Sequence, residues 1–270
     1  MILALDSSAK TAGAALIDNG KIISECFTSC ALTHSKTLLV MVDNCLRQAG
    51  KDFSQIDKIA VNCGPGSFTG VRIGVAMAKG LAFERNIGVA PVSTLESMAY
   101  NFTDENCLVF SLMDARRQQF YFGEFEIQGG EVTRRHEDSA LSFDEIKGLL
   151  FAESEGIGEN GEISESEGIK QNEVKTECKE IKENEGEGIK ENSKKIYLAG
   201  DGAELFYKML EESGEVPKIV ILPGEGRRYQ RAYGAGLCAE KNNIYLSPEE
   251  ISPVYLRLSQ AERERKEGHL

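Results

Sequence analysis

The sequence predicts an α/β protein of two lobes, each a mixed sheet with flanking helices. Apolar segments of strand length alternate with segments of helical period over residues 1–103. A similar series of strands and helices resumes over residues 104–257. Between one strand and the next helix, the chain also carries the glycine-rich run IAVNCGPGSFTGVRIG, from Ile59 to Gly74. These three observations together favour an α/β class with a specially shaped loop between a strand and a helix.

The first lobe, residues 1–103, is predicted to follow the order βββαβαβα. Asp18-Asn19-Gly20 is typical of a hairpin turn, and Thr33 or Ser35 is a suitable cap for the first helix. The expected strands are 2–5, 11–17, 21–27, 59–61 and 87–92, and the expected helices are 34–49, 70–86 and 93–100.

The second lobe, residues 104–257, is predicted to contain further strands and helices and to end in a charged tail, residues 258–270. The expected strands are 108–113, 118–127, 195–199 and 218–222, and the expected helices are 203–212 and 227–241.

An acidic segment, residues 153–195, interrupts this lobe. It holds thirteen Glu and seven Lys, repeats the tripeptide Glu-Gly-Ile three times and has almost no large apolar residues. Such a segment buries too little surface to offset its ordering entropy, so we expect a disordered insertion. An acidic docking segment is the alternative.

Composition excludes several classes of function. The formal net charge of −12 argues against direct binding of nucleic acid or of an anionic membrane. Seven cysteines without a CxxC pair indicate reduced thiols and a cytoplasmic protein. Cys26, Cys30 and His34 are spaced by four, but this spacing does not favour a zinc site. No signal peptide or membrane span is expected.

The glycine-rich loop allows two interpretations. Backbone N–H groups between a strand and a helix N-terminus can bind phosphate, whereas the glycines can equally serve close packing of helix against strand. The candidate nucleotide-binding residues lie in this loop, after the first strand and in a later Gly-Asp-Gly turn: Asp6, Ser7, Ser8, Gly64, Gly66, Ser67, Gly200 and Gly202.

The helices 34–49 and 70–86 are the candidate partner-binding elements. The first has an apolar arc wider than one core contact requires, and the second carries small residues at a spacing of four. Packing within the chain and packing against another protein explain this stripe equally well. The candidate interface residues are His34, Leu38, Met41, Val42, Cys45, Gly70, Gly74, Met77 and Ala78.

The chain resembles a known family. MILALDSSAKTAGAAL, HSKTLL, GPGSFTGVRIG, VSTLESMA, MDAR and PVYLR occur in the order found in the TsaB (YeaZ) family of tRNA threonylcarbamoyladenosine biosynthesis proteins. The resemblance covers residues 1–152 and 196–257. It implies the two-lobed actin-like ATPase (ASKHA, RNase H-like) fold and a scaffold that pairs with the catalytic paralogue TsaD and the ATPase TsaE. It also implies a homodimer when the partner is absent, and contact with tRNA only through the complex.

The resemblance also predicts that this chain has no catalytic or metal-binding residues of its own. Where the catalytic paralogue has two metal-binding histidines, this chain has Thr94 and Met98, neither of which suits a hard or borderline cation. The second phosphate turn is replaced by Asp114-Ala115-Arg116, in which Asp114 is expected to make a structural hydrogen bond. No cofactor is therefore required by this chain, although the complex could bind ATP or ADP.

Two other classes of function stay open at this point. An active ATPase or phosphotransferase would use Asp6 to orient magnesium or water and the glycine loops to hold phosphates. A metallopeptidase is disfavoured, because the histidines are only three, His34, His136 and His269, and no HExxH motif occurs.

Overall fold

The structure is a computed structural model that describes residues 1–29, 34–156 and 194–257. Two five-stranded mixed sheets form its framework. The strands of the first sheet are β1 Ile2–Asp6, β2 Ala12–Asp18, β3 Lys21–Thr28, β4 Lys58–Gly64 and β5 Gly88–Ser93. They lie in the order β3-β2-β1-β4-β5, in which the hairpin strands are antiparallel and β1, β4 and β5 are parallel.

Two helices, α1 (His34–Ala49) and α2 (Phe68–Phe83), cover the outer face of the first sheet. Leu38, Val42 and Cys45 of α1 are buried, as the apolar spacing predicts. Helix α2 starts before the expected Gly70, because the Ser67 side chain caps it by accepting from the Gly70 N–H at 3.3 Å.

The strands of the second sheet are β6 Cys107–Asp114, β7 Gln119–Gln128, β8 Glu131–Ser142, β9 Lys195–Ala199 and β10 Val220–Ile221. They lie in the order β10-β9-β6-β7-β8. Helices α4 (Phe143–Gly156) and α5 (Ala203–Glu212) pack on its outer face, around a core rich in phenylalanine.

Helix α3 (Thr94–Ala99) and helix α7 (Ala232–Asn242) lie between the two sheets and share one core with their inner faces. Small residues let α7 approach the sheet closely: a Cβ on Gly236 would lie 2.4 Å from Ile17 Cγ1. The central helices therefore join the lobes into one packed unit.

The structure departs from the sequence prediction at several places. Strand β8 and helix α4 were not anticipated. The single helix expected over 227–241 is wrong, because α6 (Glu225–Arg228) ends before an extended link and α7 starts at Ala232. Helix α7 then packs on β1 and β2, so residues 232–242 lie with the first lobe rather than the second.

The predicted acidic insertion falls almost wholly at residues 157–193, outside the described residues. At its edges the expected bounds are too wide, since α4 continues to Gly156 and β9 begins at Lys195. The predicted charged tail, residues 258–270, is also outside the described residues, as are Cys30 and His269.

Candidate functional site

A cleft of about 460 Å³ opens between the two lobes. Four segments line it: the loop after β1, the start of α2, the β6–β7 turn and the last described residues of the chain. The residues around it include both charged and aromatic side chains: Lys10, Gly66, Ser67, Phe68, Met113, Asp114, Arg116, Tyr121, Asp201, Tyr255 and Arg257.

Asp6 lies beneath this cleft rather than in its wall. Its side chain is 1% exposed, and Oδ1 accepts from Ser8 Oγ at 2.6 Å and from Asn62 Nδ2 at 2.9 Å. Oδ2 has no hydrogen-bond partner among the described residues. Burial raises the pKa of Asp6, and the bonds from Ser8 and Asn62 offset this only in part. Asp6 is therefore a buried carboxyl group that Ser8 and Asn62 hold in place and that does not line the cleft.

The glycine-rich loop packs backbone to backbone on the Ser7-Ser8 turn. A Cβ on Gly66 would lie 2.3 Å from the Ser8 carbonyl oxygen, and one on Gly70 would lie 2.0 Å from the Ser7 carbonyl oxygen. The Ser67 N–H donates to the Ser8 carbonyl at 2.6 Å. These contacts support the packing interpretation of the loop, because glycine is required and an N–H group is already used.

The Gly200-Asp201-Gly202 turn also packs closely on neighbouring backbone. The Gly200 N–H donates to the Arg228 carbonyl at 2.7 Å, and the Gly202 N–H donates to the Leu112 carbonyl at 3.0 Å. A Cβ on Gly200 would lie 2.0 Å from the Leu112 oxygen. Both glycine N–H groups are engaged within the chain and are not directed at a ligand.

Of the predicted nucleotide-binding residues, only Gly66 and Ser67 line the cleft. The other six are buried beneath it: Asp6, Ser7, Ser8, Gly64, Gly200 and Gly202. Nucleotide binding stays a prediction. The sequence pattern missed Lys10, Asp201 and Arg257, although Asp201 stands inside the Gly-Asp-Gly turn and Arg257 inside the PVYLR motif.

Asp114 makes the hairpin hydrogen bond that the sequence predicted. Its Oδ1 accepts from the Arg116 N–H at 2.7 Å. Arg116, Arg117 and Gln118 follow with φ values of 66°, 56° and 58°, an unusual run for residues other than glycine. The Arg257 guanidinium donates to the Ala115 carbonyl at 2.6 Å and so holds this turn from the segment that follows α7.

The charged groups in the cleft have both signs. Lys10 lies near Asp201, and Asp201 lies near Asp114. Burial raises the pKa of Asp201, while a backbone hydrogen bond at Asp114 and the charge of Lys10 act in the opposite direction. Within the described parts of the chain, no three His, Cys, Asp or Glu residues converge to hold a metal ion.

Thr94 and Met98 occupy the positions at which the resemblance places metal-binding histidines in the catalytic paralogue. Both side chains are fully buried on α3, in the core between the sheets. The Met98 sulfur lies against Gly200, 3.2 Å from the position of an added Cβ. A thioether and a hydroxyl packed in this way do not suit a hard cation.

Six of the nine residues of the predicted partner interface are buried within the first lobe. Leu38, Val42, Cys45, Gly70, Gly74 and Ala78 are buried against the first sheet. A partner cannot reach these side chains while the lobe is folded. Met41 and Met77 are partly exposed. The His34 ring Nε2 hydrogen-bonds the Ala9 carbonyl at 2.8 Å, which ties α1 to the loop after β1.

Other apolar residues of the same two helices are exposed. Leu39, Val40 and Phe83 are 53%, 56% and 73% exposed. Ala76 and Gly80 lie on the solvent side of α2, and a Cβ on Gly80 would meet nothing within 4 Å. We refer to these five residues as the exposed helix face.

His136 and the described cysteines do not form a metal-binding site with one another. His136 lies on β8, where its ring Nδ1 is 2.7 Å from the Glu137 carbonyl. Cys26, Cys45, Cys63, Cys107 and Cys238 are free cysteines. No helix among the described residues has the length and apolar character needed to cross a bilayer.

Two mixed sheets with flanking helices around an interlobe cleft define the class of protein as the actin-like ATPase fold. A sequence model described as TsaD, tRNA N6-adenosine threonylcarbamoyltransferase, matches residues 28–240. The chain belongs to that family. Within it, the predicted resemblance to TsaB is confirmed: the TsaB proteins of Bacillus subtilis and Escherichia coli are 39% and 33% identical over 129 and 147 residues.

Those two matches cover 48% and 54% of this chain, but only 56% and 63% of the relatives' own lengths. Two solved Pseudomonas aeruginosa structures are similar over almost the whole chain. One, described as similar to peptidase YeaZ, has a TM-score of 0.68 at 24% identity and covers 95% of this chain and 99% of its own. The other, YeaZ, has a TM-score of 0.62 at 24% identity, covering 94% and 99%. Together they establish the fold.

Proposed function

We propose that this chain is a non-catalytic scaffold subunit in the formation of N6-threonylcarbamoyladenosine in tRNA. The single observation that carries the proposal is the state of α3: the positions of the metal-binding histidines hold the buried Thr94 and Met98. The names of the TsaB relatives supply the pathway. The internal bonds of the two glycine turns are a second support, because they leave few N–H groups for a phosphate.

The scaffold would act by pairing with a TsaD-like catalytic paralogue, which a TsaE-like ATPase then joins. The exposed helix face is the proposed pairing surface. An exposed glycine in a helix interior costs about 1 kcal/mol relative to alanine, and packing inside this chain gives no reason for Gly80. Close approach of a partner helix supplies that reason. The same face would form a homodimer when the partner is absent.

This role needs no cofactor in the chain itself, with ATP or ADP bound elsewhere in the complex. It places the protein in the cytoplasm, with tRNA. The alternative function is an ATPase or phosphotransferase, for which the interlobe cleft with Asp114 and Asp201 would be the site.

The test is reconstituted threonylcarbamoylation of unmodified tRNA with the TsaD-like protein, the TsaE-like ATPase and the threonylcarbamoyl-adenylate donor. We expect product only when the chain is added, and undiminished product with Asp114→Asn and Asp201→Asn. Product without the chain would refute the proposal. Loss of product with these variants, together with ATP hydrolysis by the chain alone, would favour the alternative.

A further inference from the structure

A group of exposed cations surrounds the β6–β7 turn on an otherwise acidic protein. Lys10, Arg116 and Arg257 line the interlobe cleft, and Arg116, Arg117 and Lys208 line a second groove between the turn and α5. Arg116 belongs to both. We refer to Lys10, Arg116, Arg117 and Lys208 as the basic ridge.

The two arginines of the ridge are available to a ligand. Arg116 is 85% exposed, and its nearest carboxylate oxygen, on Asp114, is 3.9 Å away. Arg117 is exposed and forms no hydrogen bond or ion pair with any residue that the structure describes. Lys208 is 70% exposed and lies 3.8 Å from Glu212. A guanidinium with free donors matches the geometry of a phosphate.

The turn holds these arginines in a fixed position. Its three left-handed residues are framed by hydrogen bonds from the Gln119 N–H to the Arg116 carbonyl and from the Ala115 N–H to the Gln119 carbonyl. Arg257, in the segment after α7, adds a hydrogen bond to the Ala115 carbonyl. An unfavourable backbone conformation kept by several contacts is typical of a binding site, because the donors are ordered before the ligand arrives.

An aromatic surface lies across the cleft from the turn. Tyr255 stacks on Phe68 with 4.8 Å between ring centroids and is 41% exposed, and Arg72 lies 3.8 Å from the centroid of Phe68. Cations beside an exposed ring form the combination that binds single-stranded nucleic acid, since phosphates contact the cations and bases stack on the ring.

We propose that the basic ridge binds the phosphodiester backbone of a single-stranded segment of RNA, next to the Tyr255 ring. The inference rests on the proposed function, in which tRNA is the substrate of the complex, and it adds direct RNA contacts by this chain. The net charge of −12 does not oppose it locally, because residues 153–195 alone contribute −6. An acidic protein partner fits the cations but leaves the aromatic surface without a role.

Three carboxylates lie beside the ridge. Asp114 accepts from the Arg116 N–H, Asp201 lies near Lys10, and Glu212 is 3.8 Å from Lys208. Four cations against three carboxylates leave the group net positive, and its effect on RNA binding is expected to weaken with salt as counterions are released.

The experiment measures the Kd for unmodified tRNA by fluorescence anisotropy over a series of salt concentrations, for the full chain alone and in the reconstituted complex. The test variant is Arg116→Gln with Arg117→Gln. The charge-matched control is Lys21→Gln with Lys218→Gln, which are exposed and line neither the interlobe cleft nor the second groove. We expect the test variant to bind about tenfold more weakly, and the slope of log K against log salt to fall in magnitude by about 1.5.

Arg116→Lys with Arg117→Lys is expected to retain most of the slope, because the charges remain. An equal loss of tRNA affinity in the test and control variants, or unchanged tRNA affinity in the test variant, would overturn the inference. Loss of partner binding with unchanged tRNA affinity would also overturn it and assign the ridge to a protein. If the complex does not assemble but the chain alone binds RNA through these arginines, the inference stands and the proposed function fails.

Discussion

Ser7 and Gly70 are in direct backbone contact. The Ser7 hydroxyl donates to the Gly70 carbonyl at 2.9 Å, and a Cβ on Gly70 would lie 2.0 Å from the Ser7 carbonyl oxygen. The turn after β1 and the first turn of α2 are thus joined without room for a side chain. Gly80, ten residues later in the same helix, has nothing within 4 Å of its Cβ position. One helix therefore contains both a required and a replaceable glycine.

We predict opposite effects of alanine at these two glycines. Gly70→Ala should lower the free energy of unfolding by about 2 kcal/mol or more, because backbone must move to admit the methyl group. Gly80→Ala should raise it by up to about 1 kcal/mol, because alanine is favoured in a helix interior. Urea denaturation at neutral pH measures both. Equal effects of the two substitutions would show that the packing of Ser7 on Gly70 is not close.

The ion-pair network of Arg134 gives a prediction that depends on pH. Arg134 donates to Glu96 at 2.7 Å and pairs with Asp138, and all three side chains are less than a quarter exposed. Burial alone would raise the pKa of Glu96, but hydrogen bonds from Arg134, Cys238 and Asn242 outweigh burial and lower it. Arg134→Gln should therefore lower the free energy of unfolding by about 3 kcal/mol at neutral pH.

The sign of the pH effect follows from the lowered pKa of Glu96. Its contribution to stability is present above the unfolded pKa of about 4.3 and is lost as the pH falls through the lower folded value. The difference in free energy of unfolding between wild type and Arg134→Gln should therefore become smaller at acid pH. Arg47→Gln, which removes an exposed pair with Asp43, is the control and should change stability by less than about 0.5 kcal/mol. If the stability difference between wild type and Arg134→Gln did not change with pH, the ion pairs of Arg134 would not be its cause.

The first lobe could be predicted from the sequence because its strands are short apolar runs separated by turn residues. Strand β8 was missed because Glu131–Ser142 is polar and partly exposed at the edge of its sheet. The break before α7 was also missed: Tyr229, Gln230 and Arg231 continue a helical pattern in the sequence, whereas in the structure they form an extended link before α7 packs on the first lobe. Such long-range packing is not encoded in a local pattern.

The candidate site was harder to predict than the fold. Periodicity identified Leu38, Val42 and Cys45 as one apolar stripe, but it could not tell a core-facing stripe from one that faces a partner. The glycine loops presented the same difficulty, because close packing and phosphate binding both require glycine. Neither ambiguity can be resolved without the neighbouring backbone, such as the Ser7 and Leu112 carbonyl groups.

Asp6 provides a test that separates a structural carboxyl group from a catalytic one. Burial raises the pKa of Asp6 above the unfolded value of about 3.9. As the pH rises from the unfolded pKa to the higher folded pKa, the ionised carboxyl group therefore lowers the stability of the fold increasingly. Asp6→Asn should unfold at a higher urea concentration than wild type at pH 7, with the difference disappearing below about pH 4. The reconstituted complex should keep its activity. A folded variant without activity would instead assign Asp6 a chemical role.

The exposed helix face is expected to bind the catalytic paralogue. Gly80→Leu should weaken association with the catalytic paralogue by about tenfold or more, because a side chain would stand where the partner helix must come close. Since a Cβ at Gly80 meets nothing within the chain, folding should be preserved. Leu38→Glu is unsuitable, because it would place a charge in the core of the lobe.

Gly148→Leu is the matched control for Gly80→Leu. Gly148 is also an exposed helical glycine with nothing within 4 Å of its Cβ position, but it lies on α4 of the other lobe. Titration calorimetry with the purified paralogue should give wild-type affinity for the control and weak binding for Gly80→Leu. Phe83→Asp should act in the same direction, since the side chain is 73% exposed and its replacement removes apolar contact area. Wild-type affinity in both Gly80→Leu and Phe83→Asp would show that the partner binds another surface. A helix could not pack closely on this face beside both the added leucine side chain and the added charge.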